Sequence, residues 1–156
     1  MQTKSFENGI IFNGDCLKVI DYLIKKNIKV NAIITDPPYL HISGGSKNMT
    51  GLYEKNSFMK SKMSDFSRNE IFNFLNKSKK IMNKINMYVF CSRLQLPYYF
   101  EFIQENKLKF DILFWDKSQE EKFGIKFTKA YANDIEYIVR IYENNISLNK
   151  ITDDNG

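Results

Sequence analysis

The sequence predicts an open, mostly parallel α/β sheet that ends in an antiparallel C-terminal hairpin. Two patterns predict it. Strand-like and helix-like stretches alternate along residues 9–106, and two apolar runs, 110–115 and 134–142, then follow with no convincing helical period between them. Size agrees: 156 residues, 43% hydrophobic and 15% aromatic, suffice for one domain, 1–156, with its own core.

Each element has a local reason. Residues 9–13 read as a short strand ending at Gly14-Asp15, and 16–26 carry Leu17, Ile20, Leu23 and Ile24 at helical spacing. Residues 30–35 form the next strand, and the polar stretch 40–63, with glycine and serine but no period, reads as a long loop. Ser67 and Glu70 fit a capping box for a helix to about Asn83, with Ile71, Phe74, Leu75, Ser78 and Met82 on the sheet-facing stripe. Residues 86–91 are a strand, and 94–106 a helix with Pro97 tolerated in its first turn. The last two strands are expected to pair antiparallel at one sheet edge. Ligands of such a sheet lie outside the carboxyl ends of its strands, where Asp15 and Asp36 are both expected.

The most informative stretch is Asp36-Pro37-Pro38-Tyr39, directly after the strand 30–35. Two consecutive prolines cannot continue a sheet ladder or enter a helix interior, so the chain leaves the strand rigidly with the Pro37 carbonyl free to accept. The acceptor-only carboxylate of Asp36 precedes that carbonyl and the planar ring of Tyr39 follows it. Two acceptors and a stacking surface in one turn suit an extruded base that carries an exocyclic NH2 group.

This tetrapeptide at a strand's end resembles the amino-group DNA methyltransferases, which transfer a methyl group from S-adenosylmethionine (SAM) to adenine N6 or cytosine N4. The Asp form is more usual for adenine. The resemblance extends less specifically to Asn13-Gly14-Asp15-Cys16, to 87–93, to Phe114-Trp115-Asp116-Lys117 and to Asp134-Ile135-Glu136-Tyr137. It implies a partial Rossmann-like methyltransferase sheet and a site-specific adenine-N6 DNA methyltransferase of the restriction–modification kind. In that reading Asp36 polarises the amino group, Pro37 is the second acceptor, Pro38 stiffens the turn and Tyr39 stacks on the base. SAM would be held by Asp15, Cys16 and Asp36, and DNA by Tyr39, His41, Lys47, Lys55, Lys60 and Lys62.

The family's glycine-rich Phe-x-Gly-x-Gly turn has no counterpart among Gly9, Gly14, Gly44, Gly45, Gly51, Gly124 and Gly156. The resemblance therefore implies the catalytic half of a permuted member, without the glycine-rich cofactor half or the target-recognition region. A second polypeptide or a second copy of the chain is expected to complete the sheet, although the strand at Ile10–Phe12 could instead pair directly with 30–35. The alternatives are an inactive DNA-binding or subunit-pairing remnant, or a methyltransferase acting on RNA or a protein amide.

Several residues carry a plainer reading beside the functional one. Asp15 serves equally as a helix cap, and His41 as a loop residue or phosphate contact. Trp115 and Tyr137 read as core packing, and Lys117 and Glu136 as partners of each other or of solvent. The net charge of +5 favours a polyanionic partner, while abundant Lys, Asn and Ile also fit an AT-rich coding sequence. Cys16 and Cys91 lack CxxC spacing and the chain has one histidine, which argues against a zinc site and for a reducing, cytoplasmic setting. No stretch has the length of a membrane span, and the first residues lack the apolar core of a signal peptide.

Overall fold

The computed structural model describes residues 1–39, 66–116, 135–144 and 146. In chain order the elements are β1 (Gln2–Phe6), β2 (Gly9–Asn13), α1 (Cys16–Lys25), β3 (Ile33–Thr35), α2 (Arg68–Lys80), β4 (Asn86–Cys91), α3 (Leu96–Glu105), β5 (Lys109–Asp116) and β6 (Ile135–Tyr142).

The principal sheet has the order β3-β4-β6-β5, and β1 with β2 forms a separate two-stranded sheet. Within the principal sheet β3 and β4 run parallel, whereas β4–β6 and β5–β6 are antiparallel. The expectation of a mostly parallel sheet is thereby corrected: β5 and β6 do form the expected antiparallel hairpin, but β6 inserts between β4 and β5. Burial decides that order. Val139 and Ile141 of β6 are fully buried, whereas Phe110, Leu113, Phe114 and Trp115 of β5 are exposed, so β5 suits the border.

The first strand pairs differently from expectation as well. β2 lies against β1, with Lys4 opposite Ile11 and Phe6 opposite Gly9, and not against β3. Asp15 and Asp36 therefore do not end strands of one sheet. The strand expected over 30–35 is regular only at Ile33–Thr35, while Val30 makes an isolated parallel bridge to Met82 and its N–H donates to the Ile81 carbonyl at 2.8 Å.

The core lies between one face of the sheet and the helices. Met87, Val89 and Cys91 of β4 alternate with half-buried neighbours, and their register partners Ile141, Val139 and Tyr137 on β6 continue the same face. Against that layer pack Ile71, Phe74 and Leu75 of α2 and Tyr99, Phe102 and Ile103 of α3. Glu70 Oε2 accepts from the Ser67 N–H at 2.7 Å, the reciprocal half of the capping box that starts α2. Arg68 and Glu101 tie α2 to α3, and Lys77 and Asp21 tie α2 to α1. On the opposite sheet face the Arg140 guanidinium lies 5.6 Å from the Tyr88 ring and 4.2 Å from the Tyr142 ring, paired to Asp111 at 3.0 Å.

Two aromatic expectations separate. Tyr137 packs against the core as expected, but Trp115 sits on border strand β5, 46% exposed, with its ring edge-on to Phe90 at 6.2 Å. Truncation should expose the same contrast between core and border. Leu75→Ala, at a fully buried position, is expected to lose about 2–5 kcal/mol in urea unfolding, and Ile34→Ala, at a site 73% exposed, to stay within about 0.5 kcal/mol of the parent. Equal midpoints for the two variants would contradict this placement of the core.

Candidate active site

β3 positions the turn. Ile33, Ile34 and Thr35 stand opposite Met87, Tyr88 and Val89 in parallel register, so the chain leaves β3 beside the carboxyl end of β4. Asp36 is exposed there, and Pro37, Pro38 and Tyr39 are half-buried. The corner is thus open to solvent on its carboxylate side and packed on its ring side.

The packed side is held by a residue that sequence reasoning missed. Gln95 is fully buried, and its Nε2 donates to the Pro38 carbonyl at 3.2 Å and to the Phe66 carbonyl at 3.1 Å. Its Oε1 accepts from the Ser92 N–H and the Ser92 hydroxyl, both at 3.1 Å. The available signal was Ser92-x-x-Gln95, the spacing of a capping box, just after strand 86–91.

Beneath the turn lie three weakly acidic groups held in their neutral forms. Burial, then the Asp36 carboxylate, raises the pKa of the Tyr39 phenol. Asp36 acts on that hydroxyl through its charge, although the hydroxyl has no partner at full hydrogen-bond geometry. Burial pushes the Cys91 thiol up to about 12, and burial with Cys91 and Tyr39 nearby raises the Tyr99 phenol. Glu136 on β6 also acts on Tyr39.

Asp15 is a helix cap in this structure: its Oδ1 accepts from the Lys18 N–H at 3.0 Å at the start of α1. Both Asp15 and Cys16 are exposed, at the end of the β1–β2 hairpin. His41, Lys47, Lys55, Lys60, Lys62 and Lys117 lie outside the described residues. Among the described residues no group of three or more His, Cys, Asp or Glu could hold a metal ion, and no helix is long and apolar enough to cross a membrane.

A mixed sheet with helices on its core face delivers a carboxylate at the carboxyl end of a parallel strand, an α/β layout in which that end is the usual place for a ligand. Among solved structures the chain is similar to M1.HpyAVI in complex with SAM, with TM-score 0.54 and 24% identity over 85% of this chain and 53% of that chain. It is likewise similar to M1.HpyAVI alone, with TM-score 0.53 and 24% identity over 85% of this chain and 54% of that one. At this identity the likeness is one of fold, and it fits the resemblance carried by the tetrapeptide. The chain spans about half the length of these structures. No family model and no curated protein matches the sequence.

The buried thiol and phenols give the site a signature in alkali. Their folded pKa values stand above the ordinary 9.0 of cysteine and 10.0 of tyrosine, so the unfolded chain ionises first. Stability is accordingly expected to be complete below about pH 9 and to fall as pH rises toward the folded values. Urea midpoints across this range should show the fall, and Cys91→Ala should remove part of it. A midpoint unchanged between pH 8 and 11, on the order of those ordinary pKa values, would contradict neutral burial.

Proposed function

We propose that this chain is the catalytic half of a SAM-dependent DNA methyltransferase that methylates the exocyclic amino group of an extruded base, adenine N6. The observation that carries the reading is the exposed Asp36 at the head of a rigid Pro-Pro turn, at the end of a parallel strand, in a fold similar to that of M1.HpyAVI, which was solved in complex with SAM.

The residues present suit both reactants. Asp36 and the Pro37 carbonyl accept the two amino hydrogens, which turns the nitrogen lone pair out of ring conjugation and toward the methyl group. With SAM bound, its sulfur would keep the electron pair of the bond given up to the nitrogen, and Asp36 or water would take the amino proton released. The half-buried Tyr39 ring is the surface on which the base stacks. This reading assigns SAM contacts to Asp15, Cys16 and Asp36. Asp15 is engaged at Oδ1 as a helix cap and keeps Oδ2 as an acceptor, and it follows the β1–β2 hairpin, a sheet separate from the one that carries Asp36. SAM supplies the electrophilic methyl group.

The same reading assigns the phosphate contacts to His41, Lys47, Lys55, Lys60 and Lys62 in a chain of net charge +5, working in the cytoplasm. It also has a second polypeptide bring the glycine-rich turn, or a second copy of the chain pair with the sheet; the chain spans about half the length of its structural neighbours. The outer edge of β3, at the end of the sheet order among the described residues, is the place for either to pair.

Radiolabelled methyl transfer from SAM into DNA, RNA and protein, by the chain alone and with a polypeptide carrying the glycine-rich turn, tests this function. DNA labelling at adenine N6 is expected, and labelling of RNA or protein alone would redirect the substrate. Asp36→Ala should abolish transfer while DNA affinity stays largely intact, and Tyr39→Ala should cost roughly 1–3 kcal/mol of base stacking. An Asp36→Ala variant as active as the parent would remove the assigned chemistry.

A further inference from the structure

Gln95 joins three segments that are distant in sequence. Pro38 closes the turn after β3, Phe66 leads into α2, and Ser92 follows β4, and all three meet one fully buried amide. The hydrogen bonds fix which way the amide faces. Two carbonyl oxygens can only accept, so they must face the NH2 group, and the Ser92 N–H can only donate, so it must face the oxygen. Both donors and both acceptor sites of the side chain are therefore engaged, at 3.1 to 3.2 Å.

We propose that Gln95 is a positioning residue for the transfer reaction: by holding the Pro38 carbonyl to the tip of β4, it sets the direction of the Asp36 carboxylate and the Pro37 carbonyl. The proline rings lock φ at Pro37 and Pro38, so fixing the Pro38 carbonyl restricts the Pro37 carbonyl one residue earlier. Gln95 reaches Pro38 and not Pro37, so it orients the turn without occupying the acceptor assigned to the substrate. The anchor itself is stiff, because Gln95 heads α3 and its N–H donates to the Ser92 carbonyl at 3.0 Å. A leucine of similar size leaves two carbonyls and two Ser92 donors without their partner, while the apolar packing of Met87, Val89, Tyr99 and Phe102 keeps its own support.

The inference rests on methyl transfer at Asp36, and two separate readouts keep its failure apart from failure of that function. In the full chain carrying Gln95→Leu, the Pro38 carbonyl carbon and Tyr39 amide resonances should shift while the Met87 and Val89 amides stay in place. With the completing polypeptide, kcat should fall about tenfold or more with KM for SAM and DNA within about twofold, since displaced acceptors cost turnover before binding. Gln95→Glu supplies the control should the leucine variant fail to fold. Its carboxylate faces the Pro38 and Phe66 carbonyls at high pH and regains one donor when protonated, so turnover relative to the parent and the Pro38 resonance should both recover as pH falls. Unmoved Pro38 and Tyr39 resonances, or a Gln95→Leu kcat equal to the parent's, would overturn the proposal. A parent chain that transfers no methyl group under any condition would remove the function, and the Pro38 resonance would then decide alone whether Gln95 holds the turn.

Discussion

The register of β4 is the constraint on which the rest depends. This strand pairs parallel to β3 on one side and antiparallel to β6 on the other, with Met87, Val89 and Cys91 fully buried on one face. A slip of one residue would bring Tyr88 and Phe90 to that face and turn Met87 and Val89 away, so burial holds the alignment. Thr35 is thereby set opposite Val89, and the turn that follows emerges beside Cys91 and Ser92. The place of Asp36 is a consequence of which β4 side chains are apolar.

That alignment also arranges the charges. The buried ring side of the turn meets Cys91, Tyr39 and Tyr99, each pushed toward its neutral form, while Asp36 stands in solvent. Its weakly acidic neighbours, held neutral, add no competing anion beside it. Glu136 is the other carboxylate that acts on this cluster. The result is an exposed carboxylate backed by neutral packing.

The parts of this architecture written in local pattern were legible in the sequence. β4 matches its expected 86–91 at both ends, because its apolar residues alternate with half-buried ones between turn residues. α1 and α2 begin where Asp15 and Ser67 precede apolar periodic stretches. β1 was not legible, since all five of its residues are exposed and show no buried alternation; its one local cue is Asn8-Gly9 beside the turn. The order of β5 and β6 was equally hidden, because alternation shows that a strand has two faces and not which neighbour it meets. Trp115 was misplaced for that reason: an aromatic residue in a strand buries fully only when the strand is interior. At the site, Asp36 to Tyr39 were found as a motif, but Gln95 was missed: Ser92-x-x-Gln95 marks only its local bonds, while its long-range partners are main-chain atoms of Pro38 and Phe66, which leave no mark on residue identity.

A site built this way divides its labour. The bonds of Gln95 to Pro38 and Ser92 lie wholly within this chain, and so does the β3–β4 pairing that carries the turn. The conformation of the turn is therefore held by contacts within this chain, so no ordering of the turn has to be repeated when another molecule reaches it. β3 ends the sheet order among the described residues, three residues long and with Ile34 open to solvent, whereas short parallel strands are ordinarily enclosed. Pairing along that edge would satisfy the β3 backbone and bring the added chain alongside Asp36 without moving the turn, whose anchors, Ser92 and Gln95, lie between β4 and α3 on the other side.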